Sequence, residues 1–291
     1  MRSLQPAATR HDLTWSAQAM GRAATLALYD ELCLAPKPGL VSFVDSGSHD
    51  DMDGHTFMRS LFALRHYFTR IAELGYRQAP FSALEQCGLE AESRMLKATG
   101  GINTHRGAVF MLGLLCAAAA AAASEGVPLT VDTVRAALMR HWGPQLHIRR
   151  TRTSALPGGI AARRFGLRSA SEEAALGFPA VFEVAVPSWD HARRAGLRGE
   201  RLKLQVFFDI MAVLDDANLA RRGGLDGLHH ARALARDFVA QGGASQANAV
   251  ALAQDIHRDF VARRLSPGGC ADTLAATCFL DRIGAVAGTA H

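Results

Sequence analysis

The chain has 291 residues, 49% of them apolar, and a formal net charge of +5, with a pI near 9.2. That length and apolar content bury a substantial core and exclude disorder as the default. The five cysteines are odd in number and include no C-x-x-C pair, which excludes a disulfide framework or a zinc knuckle and points to a reducing, cytoplasmic setting.

Residues 1–14 lack the apolar stretch of a signal peptide and read as an N-terminal extension to one domain over 15–288. Apolar residues then recur at helical spacing over 15–34, 56–74, 81–97 and 107–123. Further helices are predicted over 130–141, 171–178, 202–219, 227–240, 245–264 and 271–287, many introduced by Ser, Thr or Asp caps. The fold class is all-α, a single large multi-helix domain or two lobes sharing one core. The alanine tract 117–123 favours a close-packed internal helix, and no run of about 18 uninterrupted apolar residues marks a membrane span.

The positive charge is uneven. Between Thr133 and Ser171 there is no Asp or Glu, while Arg149, Arg150, Arg152, Arg163, Arg164 and Arg168 flank a Pro-Gly-Gly turn at 157–159. This segment reads as an anion-binding loop or as a solvated arginine-rich loop. With 7% aromatic residues and no RNA-binding signature, a nucleic-acid partner is not expected.

Three loops combine glycine or proline with ligand-binding side chains. In the first, Pro36 and Pro38 stiffen the backbone around Lys37, whose ammonium suits a phosphate, and His49, Asp50, Asp51 and Asp53 precede a helix start near Met52. Such carboxylates are able to hold Mg²⁺ on a nucleoside triphosphate, although capping of the helix explains one or two of them. In the second, glycines flank Asn103, Thr104, His105 and Arg106 ahead of a helix start, a candidate phosphate or ribose clasp. In the third, Asp216 and Asn218 sit at the predicted end of the helix over 202–219, before Arg221, Arg222, Gly223 and Gly224. Gly223 fits a C-cap there, but acids at a helix C-terminus oppose its dipole and call for another explanation. P-loop, dinucleotide-binding, zinc-hydrolase and nucleophile-elbow motifs are absent.

Taken together, PKPGLV with GSHDDMD, TGGINTHRGAVF, GFPAV, DDANLARRGGLDGL and LSPGGCADTLAATCFL resemble the ordered signature segments of the triphosphoribosyl-dephospho-CoA synthase family, which serves malonate decarboxylase and citrate lyase. They cover nearly the whole chain. The resemblance implies transfer of the triphosphoribosyl group of ATP to the 2′-hydroxyl of 3′-dephospho-CoA with loss of adenine. It also implies Mg²⁺ accompanying ATP, and a product passed to a separate acyl-carrier-protein transferase; the flavour around LDDANL favours the malonate decarboxylase branch. On this basis Asp51 and Asp216 are expected to bind magnesium or activate the hydroxyl, and His49 or His105 to protonate adenine. Lys37, Arg106 and Arg222 would hold phosphates, and Asn103 and Asn218 would orient ribose. Thr104, Glu173, Gly223, Gly224, Ser266, Gly268, Gly269 and Asp272 would complete the substrate site.

The chain departs from the family pattern at Ala217, where a threonine is usual, and at Ser171 and Glu172, where Arg-Gly is usual. These departures keep open a second reading, a catalytically silent nucleotide- or CoA-binding regulatory protein. All of these roles require that residues near 37–53, 100–107 and 215–224 meet in space.

Overall fold

The computed structural model describes residues 15–286; the N-terminal extension 1–14 and the last residue of the helix predicted over 271–287 lie outside them. The helices are α1 (Ala17–Cys33), α2 (Gly54–Tyr76), α3 (Phe81–Ala98), α4 (Arg106–Ser124), α5 (Val131–Arg150), α6 (Pro157–Phe165), α7 (Ala170–Ala175), α8 (Val186–Arg194), α9 (Gly199–Met211), α10 (Ala217–Ala240), α11 (Ala249–Ala262) and α12 (Gly268–Arg282). A π-helical turn (Ala180–Ala185) precedes α8, and no strand occurs among the described residues. Buried apolar side chains from α1 through α12 form one continuous core.

At the centre lies α4, packed against α1, α2, α3, α5, α7 and α12. Ala117 to Ala122 are fully buried, and their methyl groups let neighbouring backbones approach closely. On α2, a Cβ at Gly75 would lie 2.2 Å from the carbonyl oxygen of Ala117, so only glycine fits this crossing. Among the described residues α4 alone is long and apolar enough to cross a membrane, yet 78% of its most apolar window is buried inside the protein.

The first four helices fall where apolar spacing places them, and the differences cluster around Pro, Gly and Asp. The helix expected over 202–219 is two elements: α9 stops at Met211, and Asp216 is the N-cap of α10. The apolar run misleads because Leu219 is buried on the next helix rather than the same one. Gly223 is therefore not a C-cap; the break falls one residue later, where Gly224 (φ 66°, ψ −167°) kinks α10. The Pro-Gly-Gly loop of the arginine-rich segment is also corrected. Those residues open α6 with Pro157 in its first turn, where a missing N–H costs no hydrogen bond. Upstream, α5 continues past Pro144 to Arg150. The π-helical turn and α8 escape apolar patterning because Gly177, Pro179 and Pro187 punctuate the stretch.

Candidate active site

The first loop closes on itself and then on the far end of the chain. Ser48 N donates to Gly39 O at 3.1 Å, and Ser48 Oγ reaches the carbonyls of Phe260 in the last turn of α11 and of Leu265 just beyond it. A Cβ at Gly39 would meet Leu265 O at 2.1 Å, which fixes glycine there (φ 68°). At the end of the loop, Asp53 is the N-cap of α2, accepting from Thr56 N at 2.8 Å and Thr56 Oγ1 at 2.7 Å. Capping thus accounts for Asp53, and the helix starts at Gly54 rather than near Met52.

His49 is held between two other segments. Its Nε2 lies 2.9 Å from Ser266 Oγ and its Nδ1 lies 3.0 Å from Arg222 Nη2. Arg222 also donates to Ser48 O at 3.0 Å and Arg264 O at 2.9 Å. Burial and the Arg222 guanidinium push His49 down to about 4. Asp51 stands 3.7 Å from His49 Nδ1 with its carboxylate 62% exposed.

Asp216 joins two helix starts. Its Oδ1 accepts from Asn218 N (2.8 Å) and Leu219 N (3.2 Å) at the head of α10, and its Oδ2 accepts from Cys270 N (3.0 Å) at the head of α12. Here the N-cap resolves the dipole problem, since the acid sits at two positive helix ends. Burial nevertheless raises its pKa, against those three N–H bonds. Gly269 and Gly268 lie directly over Asp216 and Asn218, where Cβ atoms would come to 3.0 Å of Asp216 Oδ2 and 2.6 Å of Asn218 Nδ2.

The second loop meets the others through α12 and the first loop. Gly107 leaves room for Asp272, whose Oδ2 would be 1.8 Å from a Cβ there, and the Ala108 amide donates to the Asp272 carboxylate. Burial, with Glu31 and Asp216 as like-charged neighbours, pushes Asp272 well above the usual carboxylate range. His105 bonds Ser60 Oγ through Nδ1 at 2.6 Å, while its buried Nε2 and the buried Thr104 Oγ1 have no partner. Burial, and then the nearby Lys37 ammonium, push His105 down to about 3. Asn103 Oδ1 accepts from Arg106 N, and Arg106 pairs with Glu92 on α3 at 3.0 Å.

Lys37 faces inward. It is 2% exposed, ion-pairs with Glu31 on the last turn of α1 and donates to Glu31 O at 2.8 Å. The three cations expected on phosphate, Lys37, Arg106 and Arg222, are thus all engaged by protein groups, and Arg221 is exposed beside them. Glu173 is tied into the cluster at one remove. It accepts from Arg168 (2.7 Å) and Ala180 N (3.2 Å), and Arg168 N approaches Asp215 Oδ2 at 3.5 Å. Glu172 completes a capping box with Ser169, a local role for one of the departures from the family pattern. Ala217 is simply the first residue of α10. Of the arginine-rich segment, Arg149 and Arg152 pair with Glu85, and Arg168 with Glu173.

As a donor set for magnesium, Asp216 is a poor fit because three N–H groups already occupy its oxygens. Among the described residues no group of three or more His, Cys, Asp or Glu is arranged to hold a metal ion. Asp51 fits better, since magnesium on a triphosphate takes one or two carboxylates and fills its other positions with water and phosphate oxygens. Glu31, Ser48, Ser60 and His257, which bonds Lys37 O at 3.2 Å, were not among the residues expected from sequence. Glu31 had a signal: it continues the apolar stripe Met20, Ala24, Ala27, Leu28, where a carboxylate is out of place.

The family model described as ATP:dephospho-CoA triphosphoribosyl transferase matches residues 17–290. A probable 2-(5″-triphosphoribosyl)-3′-dephosphocoenzyme-A synthase of Acinetobacter calcoaceticus is 36% identical, over 94% of this chain and 93% of its own length. The 2-(5″-triphosphoribosyl)-3′-dephosphocoenzyme-A synthase of Klebsiella pneumoniae is 36% identical over 97% and 99%. A probable synthase of the same name from Azotobacter vinelandii is 37% identical over 88% of each. No solved structure matches the chain. With a match that runs from α1 past α12 and takes in all five segments, the chain belongs to the ATP:dephospho-CoA triphosphoribosyl transferase family.

Proposed function

We propose that the protein transfers the 5-triphosphoribosyl group of ATP to the ribose 2′-hydroxyl of 3′-dephospho-CoA and releases adenine. The observation that carries this reading is the convergence of four of the family segments on one acid cluster, Glu31, Asp216 and Asp272, beside Lys37. In the reaction the bond from the anomeric carbon to adenine breaks, a bond to the 2′-oxygen forms, the hydroxyl proton goes to a base and adenine takes up a proton. An oxocarbenium-like state needs negative charge close by, a role assigned to the Asp216 carboxylate, which is also the candidate acceptor for the hydroxyl proton.

The proton for adenine is assigned to Asp272. A general acid must carry its proton at neutral pH, and the environments of His49 and His105 keep both imidazoles neutral, whereas that of Asp272 favours the protonated acid. His49 then orients Ser266, and the unpartnered Nε2 of His105 is left to hydrogen-bond substrate. Asn103, Thr104, Asn218, Gly223, Gly224, Gly268 and Gly269 line the approach to the sugar. Arg222 and Arg221 face the phosphates, Arg106 supports the loop around Asn103, and Glu173 braces the segment from the side of α7. Asp51 would hold magnesium accompanying ATP, which would supply charge neutralisation on the triphosphate.

On this reading the product is the prosthetic-group precursor for the acyl carrier protein of malonate decarboxylase, handed on by a separate transferase in the cytoplasm. The test is incubation with ATP, dephospho-CoA and Mg²⁺. Stoichiometric adenine and a product carrying the added triphosphoribosyl mass support the enzyme; saturable binding of both nucleotides without adenine release supports the silent regulatory protein instead.

A further inference from the structure

Along the outer face of α2 runs a cavity of about 560 Å³, lined by His55, Met58, Arg59, Phe62 and Arg65 and bounded by Ala98 at the end of α3. This volume is in the range of small-molecule sites. The α2 positions recur every three or four residues, so they form one stripe about 15 Å long. The stripe alternates cation and apolar surface. Neither Arg59 nor Arg65 has a carboxylate partner among the described residues. Arg59 donates to Thr56 Oγ1 at 3.2 Å, and Arg65 donates to the Phe62 carbonyl on its own helix. Phe62 is 57% exposed between them. Elsewhere on this surface arginines face acids, as Arg70 does Glu90 and Arg106 does Glu92.

The groove adjoins two loops of the active site. Arg59 donates to Thr56 Oγ1, which donates to Asp53 Oδ1, the cap that terminates the first loop. Ala98 directly precedes the second loop, and the opposite face of α2 holds Ser60 against His105. A ligand lying along α2 therefore has one end beside the first and second loops and the other in solvent.

We propose that this groove binds the diphosphate and pantetheine arm of 3′-dephospho-CoA, with Arg59 and Arg65 on the diphosphate and Met58 and Phe62 against the arm. The assignment rests on the transferase reading above. Of the two substrates, ATP loses its adenine and must bring its anomeric carbon into the buried cluster. Dephospho-CoA reacts only at its ribose, and its long, partly apolar arm takes no part in the chemistry. An open stripe mixing unpaired guanidinium groups with exposed apolar side chains matches that arm and not the uniformly anionic triphosphate.

The test uses the full chain with Arg59→Ala, Arg65→Ala and the double variant, all at exposed helical positions, with circular dichroism confirming the fold. In the adenine-release assay the double variant should raise KM for dephospho-CoA at least about tenfold while KM for ATP stays within about twofold. An equal rise for ATP, or no rise for dephospho-CoA, overturns the proposal. Calorimetric titration with dephospho-CoA alone separates this from failure of the transferase reading. If the wild type binds but releases no adenine, weaker binding by the double variant still supports the groove. Equal binding by both proteins, or none by the wild type, overturns it.

Discussion

Arg222 fixes the tautomer of His49. A guanidinium has donors and no acceptor, so the Nη2 group 3.0 Å from His49 Nδ1 requires that nitrogen to be unprotonated. The ring proton then sits on Nε2, 2.9 Å from Ser266 Oγ, which accepts it and keeps its own hydroxyl proton for another partner. Three segments far apart in sequence are joined through this one imidazole.

Lysine at position 222 should not replace this function. An ammonium is a compact point donor and cannot span Ser48 O, Arg264 O and His49 Nδ1 as the planar fork does. Arg222→Lys should lower stability by about 1–3 kcal/mol in urea titration and reduce adenine release; unchanged values of both would remove Arg222 as a tether.

Asp272→Asn separates the proposed acid from the histidines. Activity that depends on protonated Asp272 is full below its raised pKa and falls as pH increases through it. The variant should lose at least about a hundredfold in turnover and lose that alkaline limb of the kcat/KM profile. A normal profile in Asp272→Asn would return the role to another group. Asp216→Asn should also cost at least about a hundredfold, through loss of charge at the sugar.

Acid should weaken the folded state through His49 and His105. Their folded pKa values, about 4 and about 3, lie below the unfolded value of 6.5. The native state thus binds fewer protons in that window, and stability present above pH 6.5 is lost as pH falls toward 4. Asp272 acts in the other direction, since a raised folded pKa gives stability that declines as pH rises through it. Urea midpoints of the wild type at pH 7 and 4.5, compared with those of His49→Gln, give the check: substitution should shrink the difference.

Glycine substitutions should divide by what a methyl group meets. Gly107→Ala places Cβ on the Asp272 carboxylate, 1.8 Å from Oδ2, and should abolish most turnover. At Gly158, in the first turn of α6, a methyl group would meet nothing within 4 Å, and Gly158→Ala should leave activity intact and stability equal or up to about 1 kcal/mol higher. Thermal melts with adenine-release rates distinguish the two.

Helix content was readable wherever a face is uniformly apolar, as in α1 to α4. It blurred where a buried residue belongs to the next element, as Leu219 does, and where prolines and glycine interrupt a helical stretch, as between Gly177 and Pro187. The five loop segments were legible as ordered motifs, but the partners of their side chains were not. Lys37 between two prolines reads as a phosphate ligand, and only the fold turns it toward Glu31, six residues back on a helix. Asp216 reads as an acid at the end of a helix, and only the break after Met211 shows that it caps α10 instead. Pairings such as His49 with Ser266, or Gly107 with Asp272, depend on tertiary approach, which local patterning does not encode.

The hydroxyl of Ser48 is satisfied by carbonyls of Phe260 and Leu265, 212 and 217 positions further along. A nascent chain therefore emerges from the ribosome with its early loop untethered, and the reaction centre is completed only when the last α-helices arrive. C-terminal truncation ahead of Phe260 should release that loop and silence the protein.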